Sequence, residues 1–285
     1  MKITKSLGVF FLAFLIGGLP VWLIKSFYSS KNEPEKESEK APVSDVSLNK
    51  EQPPPLPRIF NVEDFWDDSI DQHNKRLLET GEVSNGEEIK AKSGETWLGL
   101  FNKNGRELLR STKIKISVTN NGDLDWKEVS VKEKTNPLFL LKKSKHLKEG
   151  EIRTLFREET RQETKESIEA ATIREGFLKK FTLGEKEYTL RAEKGLSEKQ
   201  EPILVLLLET ENTSQLIHYI YFMSEGDYAG NLYWVGDLDG DGKLDLFMDF
   251  YGYEKGGYNS GLFLSSEAEK GKLVKKIEYF ALSGC

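Results

Sequence analysis

Asn231-Leu232-Tyr233-Trp234-Val235-Gly236-Asp237-Leu238-Asp239-Gly240-Asp241-Gly242-Lys243-Leu244-Asp245-Leu246-Phe247-Met248-Asp249-Phe250 sets two apolar runs around an acidic loop. Asn231 to Val235 and Leu244 to Phe250 are rich in aromatic and aliphatic residues, and the second run alternates apolar with acidic for part of its length. Both therefore read as strands. From Asp237 to Asp245, carboxylates stand at positions 1, 3, 5 and 9 and glycines at 4 and 6. Alternate residues of a tightly curled loop point their oxygens inward, which suits a hard divalent cation, calcium above all, with its roughly six to eight oxygen ligands. Gly242 falls where such loops turn sharply, and Lys243 at position 7 would offer its backbone carbonyl while its ammonium stays in solvent. Magnesium would need fewer carboxylates and more retained water. Asp-Gly pairs are also common hairpin signals, so an acidic surface turn is the competing reading. Four like charges this close repel unless something neutralises them, which favours the metal.

An EF-hand would place a bidentate Glu at position 12, between two helices. Met248 stands there instead, Asp249 comes one place later, and the flanks are strand-like. The DxDxDGxxD loop followed by an apolar strand, over roughly residues 231–250, resembles the calcium loops of FG-GAP and VCBS repeat proteins. With Trp234-Val235-Gly236, Gly261-Leu262-Phe263-Leu264-Ser265-Ser266 and Ser283-Gly284-Cys285, the C-terminal part looks like a module of uncharacterised bacterial exported proteins. The resemblance implies Asp237, Asp239, Asp241 and Asp245 as side-chain ligands and Lys243 as a carbonyl ligand. The chain departs from the propeller pattern in having one good copy of the loop. Asn120-Asn121-Gly122-Asp123-Leu124-Asp125 lacks the third and fourth carboxylates and reads as a hairpin turn, and 285 residues are too few for a seven-bladed propeller.

Lys2 and Lys5 precede an uncharged run, Leu7 to Ile24, whose length as a helix is about 27 Å, enough for a bilayer core. The run exceeds the apolar region of a cleaved signal peptide, and Trp22 and Tyr28 suit a membrane interface, so an uncleaved anchor is favoured over secretion after cleavage. Residues 1–6 then lie in the cytoplasm, and the body is held at the bacterial inner membrane in the periplasm or outside the cell. Residues 25–58, rich in Lys, Glu and Pro and including Pro53-Pro54-Pro55-Leu56-Pro57, read as a disordered tether, because they cannot bury enough apolar area to offset the entropy of ordering. The single cysteine, Cys285, excludes an internal disulfide framework.

Residues 59–285 read as a mainly β domain of the α+β kind, with antiparallel meander sheets, one or two peripheral helices, and residues 200–285 as the calcium-loop module. Val62, Phe65, Trp66, Ile70 and Leu77 suggest a short helix within 60–78, and the composition of 158–174 suggests an exposed helix or a mobile connection. Glu95 to Phe101, Thr112 to Thr119 and Ile203 to Leu208 read as strands, and Phe181 to Leu190 as a hairpin. Asn102 to Gly105 and Gly184 mark turns, and Ser214-Gln215 would turn the chain into Leu216 to Met223.

A net charge of −6 disfavours nucleic acid as a partner. His73, His146 and His218 stand in no zinc spacing, and neither a nucleophile elbow nor a phosphate loop occurs, so no catalytic constellation is recognisable. Tyr251, Tyr253 and Tyr258, among glycines beside the loop, read as ordinary strand-end residues, with an aromatic surface for a protein or glycan ligand as the alternative. The favoured reading is a membrane-tethered, exported calcium-binding domain with a structural or binding role. The alternative is an exported enzyme acting on envelope polymers.

Overall fold

A computed structural model describes residues 56–62, 76–83, 89–121, 124–158, 171–221, 228–251 and 258–282. These belong to one compact unit, residues 54–285, and the seventeen regular elements among them are all strands. The sequence around the acidic loop forms β14 (Tyr228–Asp237) and β15 (Asp245–Tyr251), paired antiparallel with Val235 opposite Leu246 and Gly236 opposite Asp245. The chain then meanders into β16 (Tyr258–Leu264) and β17 (Lys275–Leu282).

The other edge of β14 pairs with β8 (Gly150–Arg157), β8 with β5 (Arg106–Asn121), and β5 with β4 (Thr96–Lys103). The path continues through β7 (Leu140–Leu141) to β2 (Leu77–Leu78). Three strands lie off it: β6 (Leu124–Val131), which extends β5 as a hairpin; β3 (Gly81–Val83), paired with β6; and β9 (Thr172–Arg174), paired with β14. This twelve-stranded sheet curls until β17 touches β2, so it is nearly closed and barrel-like. Asn104 and Gly105 form the two-residue loop between β4 and β5 with φ of 55° and 77°, the doubly positive geometry that matches strand twist in tight hairpins.

The second sheet contains β10 (Leu178–Leu183), β11 (Lys186–Ser197), β12 (Pro202–Thr210) and β13 (Thr213–Tyr221), with β1 (Ile59–Phe60) beside the end of β11. Side chains alternate between the faces of a strand, and here both faces are covered. Leu204, Leu206 and Leu208 of β12 pack with Leu246, Met248, Phe250 and Phe263 on the outer wall of the barrel. Ile203, Val205 and Leu207 face Phe60, Val62 and Tyr219. Cover on both faces explains the unbroken apolar run of β12. On β15 the alternate residue Phe247 turns instead into the barrel core, with Trp97, Phe139 and Trp234.

Several expectations need correction. Of the helix expected at 158–174, Thr172–Arg174 is strand β9: Ile173 is buried between the sheets, and that burial outweighs the helix-favouring composition upstream. Ile59–Phe60 and Leu77–Leu78 are strands at the margins of the other expected helix. The intervening 63–75, like 159–170, lie outside the described residues. β1 runs parallel to β11, where only antiparallel pairing was expected. β12 turns at Glu211-Asn212, with Thr210 opposite Thr213, so Ser214 and Gln215 already belong to β13. β12 and β13 sit in the second sheet, and the C-terminal meander starts only at β14. Residues 7–24, Tyr253 and Cys285 lie outside the described residues, among which no helix is long and apolar enough to cross a membrane.

Candidate metal centre

The loop closes the β14–β15 hairpin at one end of the barrel. Its apolar members anchor it, Leu238 in the barrel core and Leu244 between the two sheets, both buried. Gly240 and Gly242 have φ of 76° and 78°, the left-handed conformation that lets the chain reverse twice within three residues. One carboxylate oxygen from each of Asp237, Asp239 and Asp245 then lies within 4.8 Å of the others. At that spacing each pair of charges repels by about 3 kcal/mol for an effective dielectric near 20. A proton, a cation or donated hydrogen bonds relieve such repulsion.

The donors around the three acids are mostly backbone. Asp237 Oδ2 accepts the Gly242 amide at 3.0 Å, while its Oδ1 is buried with no hydrogen-bond partner. Asp239 Oδ1 accepts the Asp241 amide at 3.3 Å, and its Oδ2 accepts the Ser266 hydroxyl. Asp245 is fully buried; Oδ2 accepts the Leu238 amide, and Oδ1 the Ser265 amide, each at 2.8 Å. The Ser265 hydroxyl stands 3.0 Å from both Asp245 Oδ1 and Asp241 Oδ1. Burial pushes the Asp245 carboxyl up to about 8; the Asp239 charge adds to this, and the amides of Ser265 and Leu238 oppose it. Burial also raises Asp237, against the amides of Gly242 and Gly240 and with the charges of Asp241 and Asp239.

Asp241 stands apart from the trio. Its Oδ1 accepts the Lys243 amide at 2.8 Å, and its Oδ2 lies 3.3 Å from Lys243 Nζ. The Lys243 ammonium thus pairs with Asp241, across a turn that also brings up Ser265. Of the five residues picked from the spacing, three converge side by side and two flank them.

Three neighbours of the loop carry no signal in its spacing. Ser265 and Ser266 arrive from the β16–β17 connection. Tyr188 arrives from β11, with its buried hydroxyl hydrogen-bonded to the backbone of Leu244; burial raises this phenol, and the charges of Asp241, Asp245 and Asp237 add to the rise. Asp249, just beyond the loop, is buried farther along β15 and binds Asn231 and Tyr233 of β14. His146 is 3.9 Å from Glu267 at the surface, whereas His218 is buried against Phe250 with ring centres 4.3 Å apart, and that burial lowers its pKa to about 3. His73 lies outside the described residues, as do the side chains of Tyr251 and Tyr258.

Comparison with known proteins finds no match: no family model, no curated protein and no solved structure matches this chain.

Proposed function

We propose that the chain is a membrane-tethered, exported domain that binds one calcium ion at Asp237, Asp239, Asp241 and Asp245, with the Lys243 carbonyl as a further ligand. The ion serves the fold, and the domain acts as a binding or structural module. The observation that carries the reading is the convergence of three carboxylates within 4.8 Å, one of them with a buried oxygen that no donor satisfies. All-oxygen, carboxylate-rich surroundings on a curled loop suit calcium better than magnesium, which holds fewer protein ligands, or zinc, which favours nitrogen and sulfur. The likeness to FG-GAP and VCBS loops supports the same reading and rests on residues 231–250 together with the segments around them.

The address follows from two sequence features, the uncharged run 7–24 and the Lys/Glu/Pro-rich segment after it. Extracellular modules bind calcium at about 0.1–1 mM, a level met outside the cytosol. Thermal unfolding of the full-length chain in mild detergent tests the ion. Saturating calcium should raise the midpoint by about 5 °C over EGTA, magnesium should do much less, and Asp237→Asn should abolish the rise. An unchanged midpoint would leave the loop as an acidic turn.

A further inference from the structure

We propose that the β16–β17 connection, residues 265–274, is a latch worked by the ion loop, so that cation binding tightens the seating of the five-stranded sheet on the barrel. The latch presupposes a cation at the loop, as proposed above. At one end of the connection, Ser265 reaches Asp245 through its amide at 2.8 Å, and its hydroxyl lies 3.0 Å from Asp245 and Asp241. Ser266 donates to Asp239. Three of the four loop carboxylates are thus held by donors from a segment some twenty residues farther along the chain.

At the other end, the connection is held by the second sheet. Gln215 of β13 accepts the amides of Leu273 and Val274 through Oε1, at 2.6 and 3.1 Å, and donates through Nε2 to the Val274 carbonyl at 2.8 Å. Val274 is buried between the sheets in the same apolar cluster as Leu244 of the loop. The loop also meets that sheet directly, through Leu244 and the Tyr188 hydroxyl. A continuous path therefore runs from the carboxylates through Ser265 and Ser266 to Val274 and Gln215, and returns through β11.

Ser265 and Ser266 are positioning residues. Groups that orient metal-binding carboxylates alter affinity by about 10–100-fold when removed. Coupling is reciprocal: whatever the latch adds to cation affinity, the cation adds to closure of the latch. Strands β4 and β5 lie elsewhere in the barrel and supply an internal reference.

Hydrogen exchange read by mass spectrometry on the full-length chain in mild detergent, with calcium and with EGTA, tests the latch. Calcium should slow exchange about tenfold in peptides covering 266–274 and 213–217, with 96–112 little changed. Ser266→Ala should weaken calcium binding about tenfold by calorimetric titration, and Gln215→Ala should weaken it measurably although no Gln215 atom touches a carboxylate. If calcium raises the unfolding midpoint but exchange at 266–274 is unaltered, or slows equally at 96–112, the ion reading stands and the latch is wrong. If calcium changes neither midpoint nor exchange, both fall.

Discussion

β15 carries a buried carboxylate near each end, and the two are held in different ways. Asp249, 6% exposed, accepts the backbone amide of Asn231 on Oδ1, and on Oδ2 the Asn231 side-chain amide at 3.2 Å and the Tyr233 hydroxyl at 2.8 Å. All these donors are neutral and come from the neighbouring strand. Asp245, with no exposed surface, also has its donors, but two further carboxylates stand within 4.8 Å. Burial raises both carboxyl groups above the usual range. Asp249 pins an irregular stretch of β14 through these donors, with the charge of buried Glu79 adding to the rise of its carboxyl. Asp245 is one of three clustered carboxylates, an arrangement that could hold a metal ion. Asp249 belongs to no such cluster among the described residues.

The largest effect should come from breaking the pin. Asp249→Ala strands the Asn231 and Tyr233 donors, and Gly230→Ala drives a Cβ into the Asp249 carbonyl at a φ of 141°. Each should cost about 3 kcal/mol in urea unfolding, equally with calcium and with EGTA. A calcium-dependent loss would erase the distinction between the two ends.

Asp239→Asn addresses the other end and should give effects of opposite sign. In EGTA it should stabilise the domain by about 1 kcal/mol by removing a repulsive charge, and in calcium it should forfeit an increment of about 2 kcal/mol. Next in size is Gly242→Ala. A Cβ there meets open space, so only the left-handed backbone resists it, at about 1.5 kcal/mol, and its effect should grow in calcium if the loop must hold its shape around an ion.

The smallest effect is one of pH, and it sharpens the comparison by removing a background. His218, buried with its pKa near 3, binds fewer protons folded than unfolded at mildly acid pH. Its contribution is therefore intact above about 6.5 and is lost as pH falls, by about 1 kcal/mol between 6.5 and 5.5. His218→Leu should remove that slope in urea unfolding. The raised carboxyls of Asp245 and Asp249 act in the opposite sense, since their folded forms hold protons more tightly than the unfolded chain does.

Much of this was legible locally. The strands around the loop, the Asn104-Gly105 turn and the central run Ile203–Leu208 each carry their own pattern of alternation, turn chemistry or unbroken apolarity. Partners were not legible. Nothing in Trp234 announces Arg157 as its neighbour on β8, and nothing in the loop announces Ser265, Ser266 or Tyr188, because these meet only once two sheets have paired and packed. The helix expected through 174 fails at Thr172–Arg174 for a related reason: composition reports local preference, whereas the burial of Ile173 depends on strands far away in sequence.

The central claim is that the charge left unbalanced at Asp237, Asp239 and Asp245 is balanced by one calcium ion. Calorimetric titration of the full-length chain in mild detergent, first with calcium and then with magnesium, tests it most directly. The account predicts a single calcium site per chain, with magnesium binding far more weakly. Absence of calcium binding at concentrations of about 10 mM, well above the range of extracellular modules, would contradict it.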